Sequence, residues 1–417
     1  MGFFKQMSSY TIGNIVTLFF QWLIIMLIPR ITDFTEAGIF AVAISVSSIM
    51  NQISLFTLNQ YQVADGYEKF SESDYALTRL VTIAISFVCI IPVSILFNYD
   101  LNQNLIIVSY TIYRSLINYA FLHVSSLQLK NRLDYVGKSM IIEGFLSFFT
   151  FMITYVFTTN LLLSTILMAM VGGGCFVVFM SNGYKSLYGH RYPIELRRIN
   201  HIKKLIAIGT PLLISTLCPV IITALPKLIL ENSWGDEIVG IFSTLTAPTI
   251  AVPTVLTSMF TPLIVYFSTL SKSGDMGTLR KKYGRTVLLF IGLCILGYVI
   301  SVLFAGYVFE FLYGPEILPY MNYFNILVVG IFMYSVGMCS ITVLITKDQG
   351  RYAGICSVIS LFISVILFVI VIPEYGMDGA AWGLMAAYGI FGALMTACVF
   401  LIPLENKLSP NDVVNNE

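Results

Sequence analysis

The chain has 417 residues, 57% of them apolar and only 11% charged, with a net charge of +1 and a mean hydropathy of +0.84. Soluble domains carry about 25% charged residues, because a solvated surface needs them. This composition excludes a soluble globular protein; the outer surface must face lipid.

A bilayer core about 30 Å thick takes roughly 20 apolar residues per helix. Apolar runs bounded by polar clusters predict twelve such spans. The first six lie near 8–29, 37–59, 79–97, 104–126, 139–158 and 161–181. The second six lie near 205–229, 238–268, 286–311, 319–345, 353–373 and 379–402. A membrane barrel would show alternating segments of about ten residues instead. Lys5 precedes a span too long for a signal peptide and without a small-residue cleavage site, so the first helix is expected to be an uncleaved anchor. The seventh span holds Pro211, Pro219 and Pro226 and the eighth Pro248, Pro253 and Pro262, which predicts kinks or a break. Trp234 and Trp382 stand at span ends and read as interfacial anchors. The seven cysteines stand singly in apolar runs, without a CxxC pair, and read as small packing residues.

Lysine and arginine stay on the cytoplasmic side of a membrane protein. With the amino terminus inside, every lysine and arginine but three falls in an inner segment. The outer connections hold acids instead: Asp33, Glu36, Asp100, Asp236, Glu237, Glu316, Glu374 and Asp378. A wrong helix count would scramble this alternation. The expected topology is twelve spans in a bacterial inner membrane, with both ends cytoplasmic.

The longest inner connection, near 182–204, divides the chain into two sets of six spans, 1–195 and 196–417, and the halves echo each other. The first span carries Ile12-Gly13 and ends at Pro29-Arg30, and Gly38-Ile39-Phe40 opens the second. The seventh carries Ile208-Gly209 and ends at Pro226-Lys227, and Gly240-Ile241-Phe242 opens the eighth. Six spans per half gives both halves one orientation. They should be related by an axis along the membrane normal, a transporter plan with the substrate path between them.

Conventional catalytic signals are absent from the sequence. Gly137-Lys138-Ser139 resembles the tail of a phosphate loop, but Arg132 stands where its leading glycine belongs. His123, His190 and His201 lack metal-ligand spacing, and the short outer connections leave no room for a catalytic segment. Neither enzyme activity, nor a metal, nor a cofactor is expected.

The three basic residues left over are Arg30, Arg114 and Lys227. Arg114 lies mid-span, where a charge costs a few kcal/mol and faces a cavity or a partner. Tyr110 and Asn118 lie one turn to either side on the same helical face, making a polar stripe. The bland account is a structural pair with an amide; the functional one is a cationic cavity lining. A planar guanidinium forks two hydrogen bonds to phosphate or an acidic sugar. Arg30 and Lys227 occupy matching span ends, where snorkelling and a view into a central cleft both remain open, and Lys227 has Glu231 one turn on. Glu143 sits early in the fifth span; it either snorkels toward Lys138 or forms a proton or cation coupling site. Asn14, Gln21, Asn51, Gln52, Asn59, Gln60, Asn322 and Asn325 add amides that serve as interhelical glue or line an aqueous cavity.

Four stretches resemble the polysaccharide-biosynthesis exporters, including Wzx-type O-antigen flippases: IPRITDFTEAGIF from Ile28 to Phe40, FLYGPE from Phe311 to Glu316, IPEYGMDGAAWG from Ile372 to Gly383, and the basic connection from Leu129 to Gly137. In order and spacing they span essentially the whole chain. One departure is Thr158-Thr159-Asn160, where a Gly-Ala-Ala copy would complete the repeat. The resemblance implies an all-α polytopic fold of two six-helix bundles, MATE-like and V-shaped around a cation-lined cavity. It implies a flippase that moves an undecaprenyl-diphosphate-linked oligosaccharide, an O-antigen or capsule unit, to the outer leaflet under an ion gradient. The implied partners are that substrate, membrane lipids, a polysaccharide polymerase and a chain-length regulator, with no nucleic acid. Related lipid II flippases carry fourteen helices, against twelve here. The alternatives are a multidrug or cation antiporter of the same superfamily, which would favour an acidic cavity, and a membrane glycosyltransferase or polymerase.

Overall fold

The structure, a computed structural model, describes residues 3–193, 199–250, 252–253, 256, 276–346 and 350–401. These residues are helical apart from short connections, and ten helices are long and apolar enough to cross a membrane. The first half comprises α1 (Phe3–Ile31), α2 (Phe34–Leu55), α3 (Leu58–Asp65), α4 (Glu72–Phe97), α5 (Leu101–Leu129), α6 (Leu133–Thr158), α7 (Leu161–Met168) and α8 (Gly174–Tyr188). The second comprises α9 (Ile199–Trp234), α10 (Asp236–Thr246), α11 (Met276–Ile300), α12 (Gly306–Tyr313), α13 (Met321–Thr346) and α14 (Gly350–Leu401). With 52 residues α14 spans about 78 Å, too long for one crossing. Gly376, at φ 57 and ψ −125, breaks it into the two arms that the sequence predicts as spans eleven and twelve. The expected break in the eighth span appears as a 3-10 turn at Ala247–Ile250, beginning one residue before Pro248; Pro262 lies outside the described residues.

Side chains set where the helices begin and end. Asp33 and Asp100 cap α2 and α5, and Ser71 with Asp74 forms a capping box on α4. The second span runs from 34 to 65, several residues longer than the sequence predicts, and is interrupted by left-handed Phe56 and Thr57. Arg79 explains how that break is held. The sequence reading put Arg79 in the basic connection, yet its side chain is fully buried. It donates to the carbonyls of Ser54 at 2.9 Å and Leu55 at 2.7 Å, and to Asn59 Oδ1. These carbonyls end α2 and carry its negative dipole, which a cation stabilises.

The end of the bundle where Asp33, Glu36, Asp100 and Asp236 come together is the acidic face, and the end where Asp74 meets His201 the basic face. One apolar core runs through both halves, joining Phe40, Val46 and Tyr113 to Phe242, Leu327 and Tyr388. On the acidic face α2 packs against α10 with backbone in contact. A Cβ on Gly38 would sit 1.9 Å from the Asp236 carbonyl oxygen, and one on Gly240 1.8 Å from that of Phe34. The two echoed Gly-Ile-Phe motifs therefore meet, and only glycine fits at either. On the basic face the start of α9 packs against Phe56 and Leu58 through Leu213, and His201 Nδ1 lies 3.0 Å from Asp74 Oδ2. Gln62 donates to the hydroxyls of Tyr67 at 2.7 Å and Tyr192 at 3.1 Å, docking the connection between the halves onto the first half.

Candidate functional site

A cavity of about 460 Å³ opens between α1, α2, α5 and α6, and Ala247 and Pro248 from the eighth span close one side. Its walls are largely apolar and include seven aromatic side chains: Phe19, Phe20 and Trp22 from α1, Phe40 from α2, Tyr110 and Tyr113 from α5, Phe148 from α6. Among these stand Arg114, Gln21, Ser48 and Ser147. The small residues of α1 and α6 make the wall tight. Thr17 Oγ1 donates to the Met140 carbonyl at 3.0 Å, and Gly144 lies against the Thr17 backbone.

Arg114 is half-buried in this wall, about midway along α5. Among the described residues the ion pairs are Arg132–Asp134 and His201–Asp74, so Arg114 forms none. The indole N–H of Trp22, also in the wall, is buried without an acceptor. Among the described residues no carboxylate lines the cavity. Glu143 sits behind it, 2% exposed, with Oε1 accepting from the Tyr113 hydroxyl at 2.6 Å and Ser147 Oγ at 2.7 Å. Both donors line the cavity, so Glu143 is one hydrogen bond away from it and within electrostatic reach of Arg114. Snorkelling toward Lys138 is therefore not the course its side chain takes. Gly172 makes this arrangement possible: a Cβ there would fall 1.9 Å from Ser147 Oγ. A cavity with a cation in its wall and the nearby Glu143 held back behind it is suited to an anion.

The other sequence candidates lie elsewhere. Asn118 does not line the cavity: it is 1% exposed and donates to Ser54 Oγ at 3.0 Å and the Asn51 carbonyl at 3.4 Å, so the polar stripe on α5 passes from cavity to packing within one turn. Arg30 and Lys227 are also absent from the lining. Arg30 donates to the carbonyls of Phe311 and Leu312, tying the end of α1 to α12 in the other half. Lys227 is half-buried near the end of α9 and forms no ion pair with Glu231. The sequence reading did not anticipate Trp22, Tyr113 and Ser147. An aromatic or a serine on an apolar helix carries no signal until its neighbours are known.

Solved structures decide what kind of fold this is. An inward-facing multidrug-resistance MATE family transporter of the MOP superfamily superposes with a TM-score of 0.69 at 13% identity, covering 94% of this chain and 93% of that one. The fold is that of the MOP-superfamily transporters. The lipid II flippase MurJ, in an inward closed conformation, matches with a TM-score of 0.68 at 12% identity, over 96% of this chain and 88% of that one. In sequence the chain is similar to the capsular polysaccharide biosynthesis protein CapF of Staphylococcus aureus, 26% identical over 387 residues, 90% of this chain and 94% of the relative. No protein-family model matches. The resemblance to polysaccharide-biosynthesis exporters read from the motifs thus finds a counterpart in sequence, and its all-α polytopic fold one in structure.

Proposed function

We propose that this protein is a flippase that carries an undecaprenyl-diphosphate-linked oligosaccharide, an O-antigen or capsule unit, from the cytoplasmic to the outer leaflet, driven by an ion gradient. The observation that carries the reading is Arg114, which among the described residues has no ion-pair partner and stands in the wall of a cavity lined by aromatic side chains and no carboxylate. In this reading the diphosphate lies on Arg114 with Trp22 Nε1–H beside it, and aromatic rings receive the sugar. The prenyl tail stays in lipid, so only the hydrophilic part needs the cavity, which removes most of the cost of taking polar groups through hydrocarbon.

Glu143 has a place as the partner that sets the charge of this wall. With the cavity empty it faces Arg114; with an anion bound, its own negative charge becomes unfavourable there. Arg30 and Lys227 contribute to the same anionic path only when the acidic face opens, and Asn118 supports it by holding α5 to α2. The similarity to a capsular polysaccharide protein favours this cargo over a cationic drug, as does the absence of an acid in the cavity wall. Transport without chemistry is the coarser statement, and the MATE and MurJ likenesses support it. The two halves, 1–195 and 196–417, act as the moving bundles, the termini stay cytoplasmic in a bacterial inner membrane, and polymerase and chain-length regulator act downstream.

The test is complementation of a flippase-null strain, with lipid-linked units assayed in each leaflet at matched expression. Restored outer-leaflet units support the reading. Ethidium efflux with no restoration from any donor of units would assign the chain to drug export instead.

A further inference from the structure

The acidic-face seam gathers carboxyl groups from both halves. Asp33 and Glu36 come from the start of α2, Asp100 from the cap of α5, Glu231 from the end of α9 and Asp236 from the start of α10. Glu36 lies within electrostatic reach of Asp236, and Glu231 and Asp236 lie within reach of each other and of Asp100. Asp33 and Asp100 have backbone partners. Each caps a helix, accepting the N–H of Glu36 at 2.9 Å and of Gln103 at 2.7 Å, where the helix dipole favours negative charge.

Neither Glu231 nor Asp236 accepts a capping N–H, and of the two only Asp236 stands at a helix start. The side-chain amide of Gln103 stands 3.4 Å from one oxygen of each, and the second oxygen of Glu231 is buried without a partner. Cations do not neutralise them: Arg30 is bound to the carbonyls of α12, and among the described residues neither it nor Lys227 forms an ion pair. Tyr99 supplies an independent sign. It is 8% exposed with no partner for its hydroxyl, and burial, then the charges of Glu231 and Asp236, push its pKa up. Its O–H is a proton donor beside the same two carboxyls.

We propose that Glu231 and Asp236 form a proton-binding site, with Tyr99 and Gln103 as its polar wall, and that proton uptake there closes the acidic-face seam. Closure presses α2 onto α10 and crowds the carboxyls of both halves. A proton shared by Glu231 and Asp236 removes one charge and gives the unpaired oxygen a hydrogen bond. When the proton leaves, repulsion among the crowded carboxyls of both halves parts the helices. The closed state holds the extra proton, so it dominates at low pH and is lost as pH rises. A metal is the poorer occupant, because among the described residues no group of three or more acids, histidines or cysteines is placed to hold one. The inference deepens the reading above only in taking the chain as an ion-driven carrier; it does not depend on the cargo.

Ala37, 2% exposed beside Gly38, reports on the seam, and Val239, fully buried on α10, is a second reporter. In a cysteine-free chain in membranes, Ala37→Cys or Val239→Cys is labelled with an impermeant maleimide, normalised to the exposed Thr159→Cys chain. From about pH 6 to about pH 8 the normalised rate is expected to rise roughly tenfold or more, since one linked proton shifts an equilibrium up to tenfold per unit. Glu231→Gln with Asp236→Asn should hold labelling slow at both pH values, while Glu237→Gln, an exposed neighbour, should keep the rise. A flat wild-type response, an unaltered rise in the double variant, or suppression by sodium in place of protons would each overturn the proposal. No cargo is needed, so a flat response leaves the flippase reading standing, and a failed leaflet assay leaves the labelling result standing.

Discussion

On the acidic face α2 meets α10 through two glycines and a crowd of carboxyls. On the basic face the same span, bent at Phe56 and Thr57, meets α9 through Phe56, Leu58 and Leu213 and the Asp74–His201 pair. The first seam rests on backbone contact and charge, with one amide bridging at 3.4 Å to each acid. The second rests on apolar packing, behind which a buried arginine fixes the bend. A crowd of carboxyls responds to ions and protons; apolar packing does not, and the basic seam carries a single acid–imidazole pair beside it. The contrast assigns sensitivity to the acidic face and mechanical support to the basic face.

The strongest way to break this contrast is to hold the acidic seam apart. Gly240→Val or Gly38→Val puts a branched side chain where even a Cβ overlaps a carbonyl. Overpacking of this kind costs about 1–3 kcal/mol or more, so roughly a hundredfold loss of transport is expected at unchanged membrane levels. Transport within twofold of wild type would show that the contact is dispensable. On the basic face, Arg79→Ala strands the Leu55 carbonyl, at about 1–3 kcal/mol for a buried group left unsatisfied, while the Ser54 carbonyl keeps Thr82 Oγ1 at 2.8 Å. A clear drop in melting temperature should follow, with Arg79→Lys intermediate because lysine lacks the fork.

Smaller effects sharpen the same contrast. Asn118→Ala removes one buried bond to Ser54 and should lower stability by about 1 kcal/mol while leaving apparent substrate affinity unchanged. A large rise in KM at normal stability would return Asn118 to the substrate path. His201→Gln replaces the ring nitrogen 3.0 Å from Asp74 with an amide that can still donate to it, and a stability loss of about 1 kcal/mol or less is expected. Its transport rate should stay within about twofold of wild type across pH, unlike variants of the acidic seam.

Much of the fold was legible because a lipid-facing helix must be apolar along its whole length. The apolar helical spans and the echoed Gly-Ile-Phe motifs follow from patterns that survive without knowing any contact, while most of the predicted eighth span lies outside the described residues. Arg79 was misread for a related reason. A basic residue near a span end normally stays in the polar connection, and nothing local says that a partner helix will end against it. In the candidate site Arg114 was legible, since a mid-span charge has few uses. Asn118 was not, because an amide one turn from a cavity bonds equally well to a neighbouring helix. Glu143 lay between: its depth was readable, but its bonds to Tyr113 and Ser147 depend on Gly172 bringing α8's side of the bundle close.

The most direct measurement is transbilayer movement of a purified diphosphate-linked oligosaccharide lipid in proteoliposomes, comparing wild type, Arg114→Lys and Arg114→Ala. Wild type should move the lipid, Arg114→Lys should retain part of the rate, and Arg114→Ala should lose at least about tenfold, as expected when a charge-assisted bidentate contact is removed. Equal rates for wild type and Arg114→Ala would contradict the assignment of this cavity to the diphosphate.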